Sequence, residues 1–274
     1  MKFYKLIIFI LIVFFKTETI FSENDLFNVN NIQLEKKDKI SQNTLADQAI
    51  KTGFSQLIEK ILLNDDSSKL SNLSFTTIKK LVSYYQITEI SEEKNLTELV
   101  NFSVTFDKNK IHNLFHERGI LYSVISDKEL YILPLLVKDD QIYIFNNNFF
   151  YEKWNEIYEN DLIEFILPLE NIEIIQKINQ NKNNLIDVDL KKLLNEYTNK
   201  NLALILIDDS NNSNTKIYIK TIIQEKKISK SLNYKKRDPE TNDFYKQIII
   251  EAKKELINLV KSKNLIDIRT PSFL

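Results

Sequence analysis

The chain reads as an α/β (α+β) protein built of two small mixed-sheet modules with helices packed on the sheets. Three observations predict this. Long stretches place apolar residues at steps of three and four, the signature of amphipathic helices. Between them stand short runs that either alternate apolar with polar or are apolar throughout, the patterns of half-buried and fully buried strands. The two patterns are interleaved from one end of the chain to the other, as in mixed folds.

The elements follow in order. Phe27, Val29 and Ile32 mark a short strand within the polar stretch 23–41. Ala46, Ala49, Ile50, Phe54, Leu57, Ile58, Ile61 and Leu62 then predict a helix over about 42–63. Gly53 lies on its apolar face, which implies a neighbour packed too close for a side chain. Asn64–Ser68 supplies turn residues, and Phe75, Ile78, Leu81 and Val82 predict a second helix to about Tyr85. Residues 99–107 alternate, with Phe102, Val104 and Phe106 on one face and Asn101, Ser103, Thr105 and Asp107 on a wet one. A short helix follows through Ile111, Leu114 and Phe115 to Arg118, and Gly119 stands where a left-handed residue ends a helix. Leu130–Val137 is a nearly continuous apolar strand in which Pro134 argues for an edge or a bulge. Asp139-Asp140 turns it into a hairpin partner at Ile142–Phe145.

The Asn146–Asn148 run is the expected internal boundary, giving modules at 23–147 and 148–274. Phe149, Phe150, Trp154, Ile157 and Tyr158 open the second module as a helix, and Leu162–Leu167 is a strand closed by Pro168. Asn179–Asn184 reads as a solvated loop, and Leu190, Leu193, Leu194 and Tyr197 as a helix. Leu202–Ile207 is a buried strand, followed by strands at about 215–223 and 226–234. A last helix runs over about 240–261, started by Asp238-Pro239, with Phe244, Ile248, Ala252, Leu256, Leu259 and Val260 inward.

The N-terminus carries an address. Lys2 and Lys5 precede ten unbroken apolar residues, Leu6–Phe15, and a polar stretch, Lys16–Glu18, follows. Basic start, short apolar middle and an exit near Ser22 match a cleavable secretory signal peptide over 1–22. A spanning helix needs about 20 apolar residues, so a membrane anchor fits poorly. No cysteine exists to carry a lipid, form a disulfide or act as a thiol nucleophile. The expectation is an exported, periplasmic protein without an integral membrane segment after cleavage. The chain has 37 basic and 38 acidic residues; removing three Lys and one Glu with the first 22 leaves 34 and 37, a net charge of −3. That near-neutral balance gives no global field for nucleic acid.

Chemical signatures are sparse. Gly53 and Gly119 are the only glycines, so no glycine-rich phosphate loop is present and no cofactor is expected. His112 and His116 are the only histidines, spaced i, i+4 as two zinc ligands on a helix would be. They lack the His-Glu-x-x-His order and a third ligand, so they are weak metal candidates beside a plain polar flank. Asp65-Asp66, Asp139-Asp140 and Asp208-Asp209 fit acid–base or calcium chemistry in principle, but each lies in turn-rich sequence where Asp caps backbone groups. No nucleophile elbow accompanies the serines. Lys226, Lys227, Lys230, Lys235, Lys236 and Arg237, with Tyr234 among them, form the single basic cluster, read either as a phosphate or headgroup contact or as a strand edge protected by charge. Trp154 reads as core, and Asn-x-Ser/Thr triplets at Asn72, Asn95, Asn101 and Asn211 are what so Asn-rich a chain contains by chance.

Four blocks carry a family resemblance. They are Ala46-Asp47-Gln48-Ala49 through Ile61; Phe102-Ser103-Val104-Thr105-Phe106-Asp107 leading to Leu114; Arg118-Gly119-Ile120-Leu121-Tyr122 followed by Leu130–Leu136; and Leu167-Pro168-Leu169-Glu170 leading to Tyr197 and the strand Leu202–Ile207. In this order the chain resembles the bacterial exported family called domain of unknown function 2066, over roughly 25–265. It departs from that pattern at Tyr122, at Ser126-Asp127 and at Ile217-Tyr218-Ile219. The resemblance implies an envelope protein without an assigned activity. The expected function is therefore non-enzymatic binding of another envelope component, an unidentified protein or other partner, through sheet edges open to pairing. The alternative is an envelope enzyme, hydrolase-like or metal-dependent, whose site is scattered in sequence.

Overall fold

The computed structural model describes residues 26–36, 41–92, 98–158, 162–211, 213–235 and 242–266. The expected leader, Asp238-Pro239, Lys236, Arg237 and Asn95 lie outside them. The chain divides into two units: one ends at Val124 and resumes at Leu265, and the other spans Ile125–Asn264.

In the first unit, β1 (Asn28–Lys36), β2 (Val82–Glu92) and β3 (Glu98–Phe106) form an antiparallel sheet in the order β1-β3-β2. Helix α1 (Gln42–Ile61) starts at Ser41, whose hydroxyl accepts the Thr44 amide at 3.2 Å. Its stripe from Leu45 to Ile61 is buried and packs in one core with Val100, Phe102, Val104 and Phe106 of β3. At Gly53 a Cβ would stand 3.0 Å from Ile32 Cδ1 and 3.4 Å from Val104 Cβ, the close approach that the glycine implied. After a one-turn helix, α2 (Asn64–Ser67), α3 (Phe75–Lys80) is capped by Ser74. The helix expected to reach Tyr85 ends at Lys80, because Val82, Tyr84, Tyr85 and Ile87 belong to the β-branched and aromatic run of β2. Helix α4 (Lys108–Arg118) is capped by Asp107, whose carboxylate accepts the Asn109 and Lys110 amides. Gly119 (φ 60°) ends it, with the Ile120 amide on the Phe115 carbonyl. A two-stranded pair, β4 (Tyr122–Ser123) with β11 (Leu265–Ile266), completes the unit.

The second unit holds a six-stranded sheet. Its order is β10-β9-β8-β5-β6, from β5 (Glu129–Lys138), β6 (Gln141–Tyr143), β8 (Asn201–Asp208), β9 (Asn214–Ile223) and β10 (Lys226–Lys235), with β7 (Glu164–Ile166) also on β5. Strands β5 and β8 run parallel in register from Leu130↔Asn201 to Val137↔Asp208. Their central residues, 132–137 and 202–207, are apolar because both faces are covered. Leu130, Ile132, Ala203, Ile205 and Ile207 face one core with α5 (Phe149–Lys153) and α8 (Asn242–Lys263). Leu133, Leu135, Leu202, Leu204 and Leu206 face another with α6 (Ile172–Gln180) and α7 (Leu190–Leu193). Each such Leu or Ile side chain, fully buried, contributes about 1.5–3 kcal/mol.

The structure bears on three sequence expectations. The division of the chain differs from the expected boundary at 147/148, because the β5–β6 hairpin belongs to the second sheet through its ladder with β8. The expected α/β class with helices packed on sheets holds in both units; the strands of the first sheet are antiparallel, and those of the second run both ways. Pro134 sits inside the sheet, not on an edge strand, but at residues of β5 where neither β7 (paired at Glu129–Tyr131) nor β6 (paired at Leu136–Lys138) reaches. The strand has a local open edge there, which is where a residue without an amide hydrogen fits. Asn148 fills that gap: fully buried, it donates to the carbonyls of Pro134, Tyr143 and Ile144 at 2.9–3.1 Å and accepts the Phe150 amide at 3.1 Å. The asparagine run is therefore a structural knot rather than a linker.

Candidate binding edge

Strand β10 ends the sheet order and so leaves one side of its backbone unpaired among the described residues. Its pairing with β9 runs from Lys226↔Ile223 to Lys235↔Asn214 without a register shift. The connection is a two-residue turn, Gln224-Glu225, with both residues left-handed (φ 48° and 63°), the backbone of a type I′ hairpin. Such a turn joins the Lys226 amide to the Ile223 carbonyl. In an antiparallel ladder the bonded and non-bonded pairs then alternate. The backbone groups of Lys226, Ile228, Lys230, Leu232 and Tyr234 point to β9, and those of Lys227, Ser229, Ser231, Asn233 and Lys235 point outward.

The side chains alternate as well. Ile228, Leu232 and Tyr234 are half-buried and pack on the core that α8 covers. Lys230 on that face pairs with Glu255 of α8 at 2.6 Å. The Tyr234 phenol is pushed above its ordinary value by burial, with the Glu251 and Glu255 carboxylates acting the same way. Lys227, Ser229, Ser231, Asn233 and Lys235 occupy the opposite face and are exposed.

The other edges are blunted in different ways. Register shifts interrupt β1 between Val29 and Ile32, where Asn31 has φ 58°, and β2 at Val82/Tyr84 and Ile87/Glu89. Strands β6 and β7 are three residues each. Bulges and short strands are the common protections of a sheet edge. Strand β10 has neither and relies on lysine.

No family model matches the chain, and no curated protein or solved structure gives a significant match to it. The reading of the site rests on its own geometry.

The remaining candidates fall into place around this edge. His112 Nε2 is engaged by the Tyr122 hydroxyl at 2.9 Å, and its ring packs 5.5 Å from Phe27. His116 is exposed in the last turn of α4. Among the described residues no group of three or more His, Cys, Asp or Glu is placed to hold a metal ion. Asp66 pairs with Lys69 at 2.6 Å, Asp139-Asp140 (φ 51° and 58°) makes the β5–β6 turn, and Asp208 accepts the Ser210 amide. Asp209 departs from the expected solvated turn. It is buried at the end of β8 and accepts hydrogen bonds from the Thr215 and Tyr245 hydroxyls, tying β8 to β9 and α8. Trp154 is fully buried core.

A cleft of about 430 Å³ in the first unit is walled by Phe54, Ile58, Leu62, Leu70 and Ile78, with Lys51, Glu59 and Asn64 among its polar groups. It is within the size range of small-molecule sites. Glu59 is its one carboxylate and no histidine lines it. Sequence reasoning missed the roles of Asn148 and Asp209. Both side chains act on groups far along the chain or across the sheet, and nothing local distinguishes them from the other turn-forming Asn and Asp residues.

Proposed function

We propose that this is an exported, non-enzymatic binding protein of the bacterial envelope that engages its partner by strand addition at β10. The observation that carries the reading is the ten-residue, unbulged outer edge of β10. Five outward-facing residues present amides and carbonyls that no strand among the described residues pairs, in the spacing that an extended chain matches, and main-chain pairing of this kind supplies affinity without a pocket. The N-terminal Lys2–Ser22 pattern and the four-block family resemblance support the envelope setting. No helix among the described residues is long and apolar enough to cross a membrane, which agrees with a partner met outside the bilayer core.

The test is in-cell crosslinking of the tagged full chain, followed by recovery from the envelope fraction and mass spectrometry. It is run beside Ser231→Pro, which removes one outward amide and leaves the ladder to β9 intact. One dominant stoichiometric partner, lost in the variant, is the expected result. A partner retained by the variant, or none enriched across replicates, refutes strand addition at this edge.

A further inference from the structure

Resting on the β10 reading, we infer that the partner strand is an extended acidic segment in which carboxylates alternate with apolar residues. The charge of the edge points there. Strand β10 carries Lys226, Lys227, Lys230 and Lys235 and no acidic residue. Lys230 is taken by Glu255, and Lys227 stands beside the Asp189 carboxylate. Among the described residues no carboxylate pairs with Lys226 or Lys235. The strand therefore keeps an excess of positive charge along an unpaired backbone.

The alternation follows from the pleat. Side chains directly opposite on neighbouring strands share a face. Residues of an added strand opposite Lys227 and Lys235 would lie on the exposed face, where carboxylates complement the two lysines. Residues opposite Ile228 and Leu232 would lie on the α8 side, where both side chains are only half-buried. Apolar groups there would complete a burial that β9 and α8 begin. The same lysines select against other occupants. A second copy of β10, paired antiparallel about Ser231, would set Lys227 against Lys235. Like charges placed opposite each other destabilise a ladder. Lysine on an edge thus disfavours self-pairing and basic strands while leaving an acidic strand favoured, which is how specificity by repulsion works.

The probe is a synthetic peptide of about ten residues, the length of a typical long strand, alternating Glu with Val. Its counterpart alternates Lys with Val, and both are titrated against the full chain by fluorescence anisotropy. The Glu peptide is expected to bind, and to weaken at least tenfold as ionic strength rises from about 0.05 to 0.5 M, where screening shortens to a few ångströms. The Lys peptide is expected not to bind. Lys227→Glu combined with Lys235→Glu reverses the preference, and because both side chains are exposed this pair carries the test even where Ser231→Pro unfolds the sheet. Equal binding of the two peptides, or an unchanged preference in the charge-reversed chain, overturns the inference. So does self-association of the native chain that Ser231→Pro abolishes, since the occupant is then a second copy. Failure of the Glu peptide while the crosslinked partner still depends on Ser231 removes the acidic assignment alone. A crosslinked partner indifferent to Ser231→Pro removes the strand-addition reading with it.

Discussion

The Asn148 side chain hydrogen-bonds three carbonyls and one amide inside the second unit. Buried polar groups left without partners cost about 1–3 kcal/mol each. Asn148→Ala is therefore expected to destabilise the fold by about 3 kcal/mol or more, and a urea titration followed by circular dichroism reads this directly. Asp107 acts at the surface and through charge. The Lys110 amide hydrogen-bonded to its carboxylate holds its pKa below the ordinary value; burial opposes this, and the Lys110 ammonium and Asn109 amide add to the lowering. A carboxyl whose pKa is lower folded than unfolded contributes stability above its unfolded value, near 4, and loses that contribution as pH falls through the folded value. Asp107→Asn keeps a capping side chain and removes the titration. Its melting temperature is expected to stay close to that of the native chain at neutral pH and to fall less steeply below about pH 4.

At the scale of elements, the β9–β10 hairpin makes a claim that neighbouring residues can check. Ser231 directs its backbone outward and Leu232 directs its backbone to β9, by the alternation that the Gln224-Glu225 turn sets. Proline at 231 removes an amide that meets only solvent, whereas proline at 232 removes a ladder hydrogen bond and displaces a half-buried apolar side chain. Leu232→Pro is expected to cost about 1–3 kcal/mol more than Ser231→Pro in thermal or denaturant unfolding. Equal costs would mean that the register of outward groups is shifted by one residue.

At the scale of the molecule, the units are set by which strands share a ladder. Strand β5 is the central partner of β6, β7 and β8, so the second unit cannot be completed from 148 onward. A fragment spanning 125–264 is expected to unfold cooperatively in a calorimetric scan. A fragment spanning 148–274 lacks β5, leaves the apolar Leu202–Ile207 run of β8 without its parallel partner, and is expected to be molten or aggregated. A cooperative 148–274 fragment would restore the boundary that the asparagine run suggested.

The sequence by itself determined the mixed α/β class, the identity of most elements and much of the core. Residue spacing is a local property, and helices and strands stamp different periods on it. Gly53 and Gly119 were legible for the same reason, since each marks a single backbone or packing requirement. The β9–β10 hairpin and its lysines were legible too, as two strands separated by two residues. The ladder on β3 drew Val82–Tyr85 into β2 rather than the expected helix, a choice that the β-branched and aromatic run there favours but does not settle. Tertiary structure alone moved β5 and β6 into the second unit, gave Pro134 its open position inside a sheet, and made Asn148 and Asp209 buried knots. It alone left β10 as the long, regular edge. Strand order and the flank that stays unpaired depend on contacts between residues far apart in the chain, and no periodicity within a strand records which neighbour it has on either side.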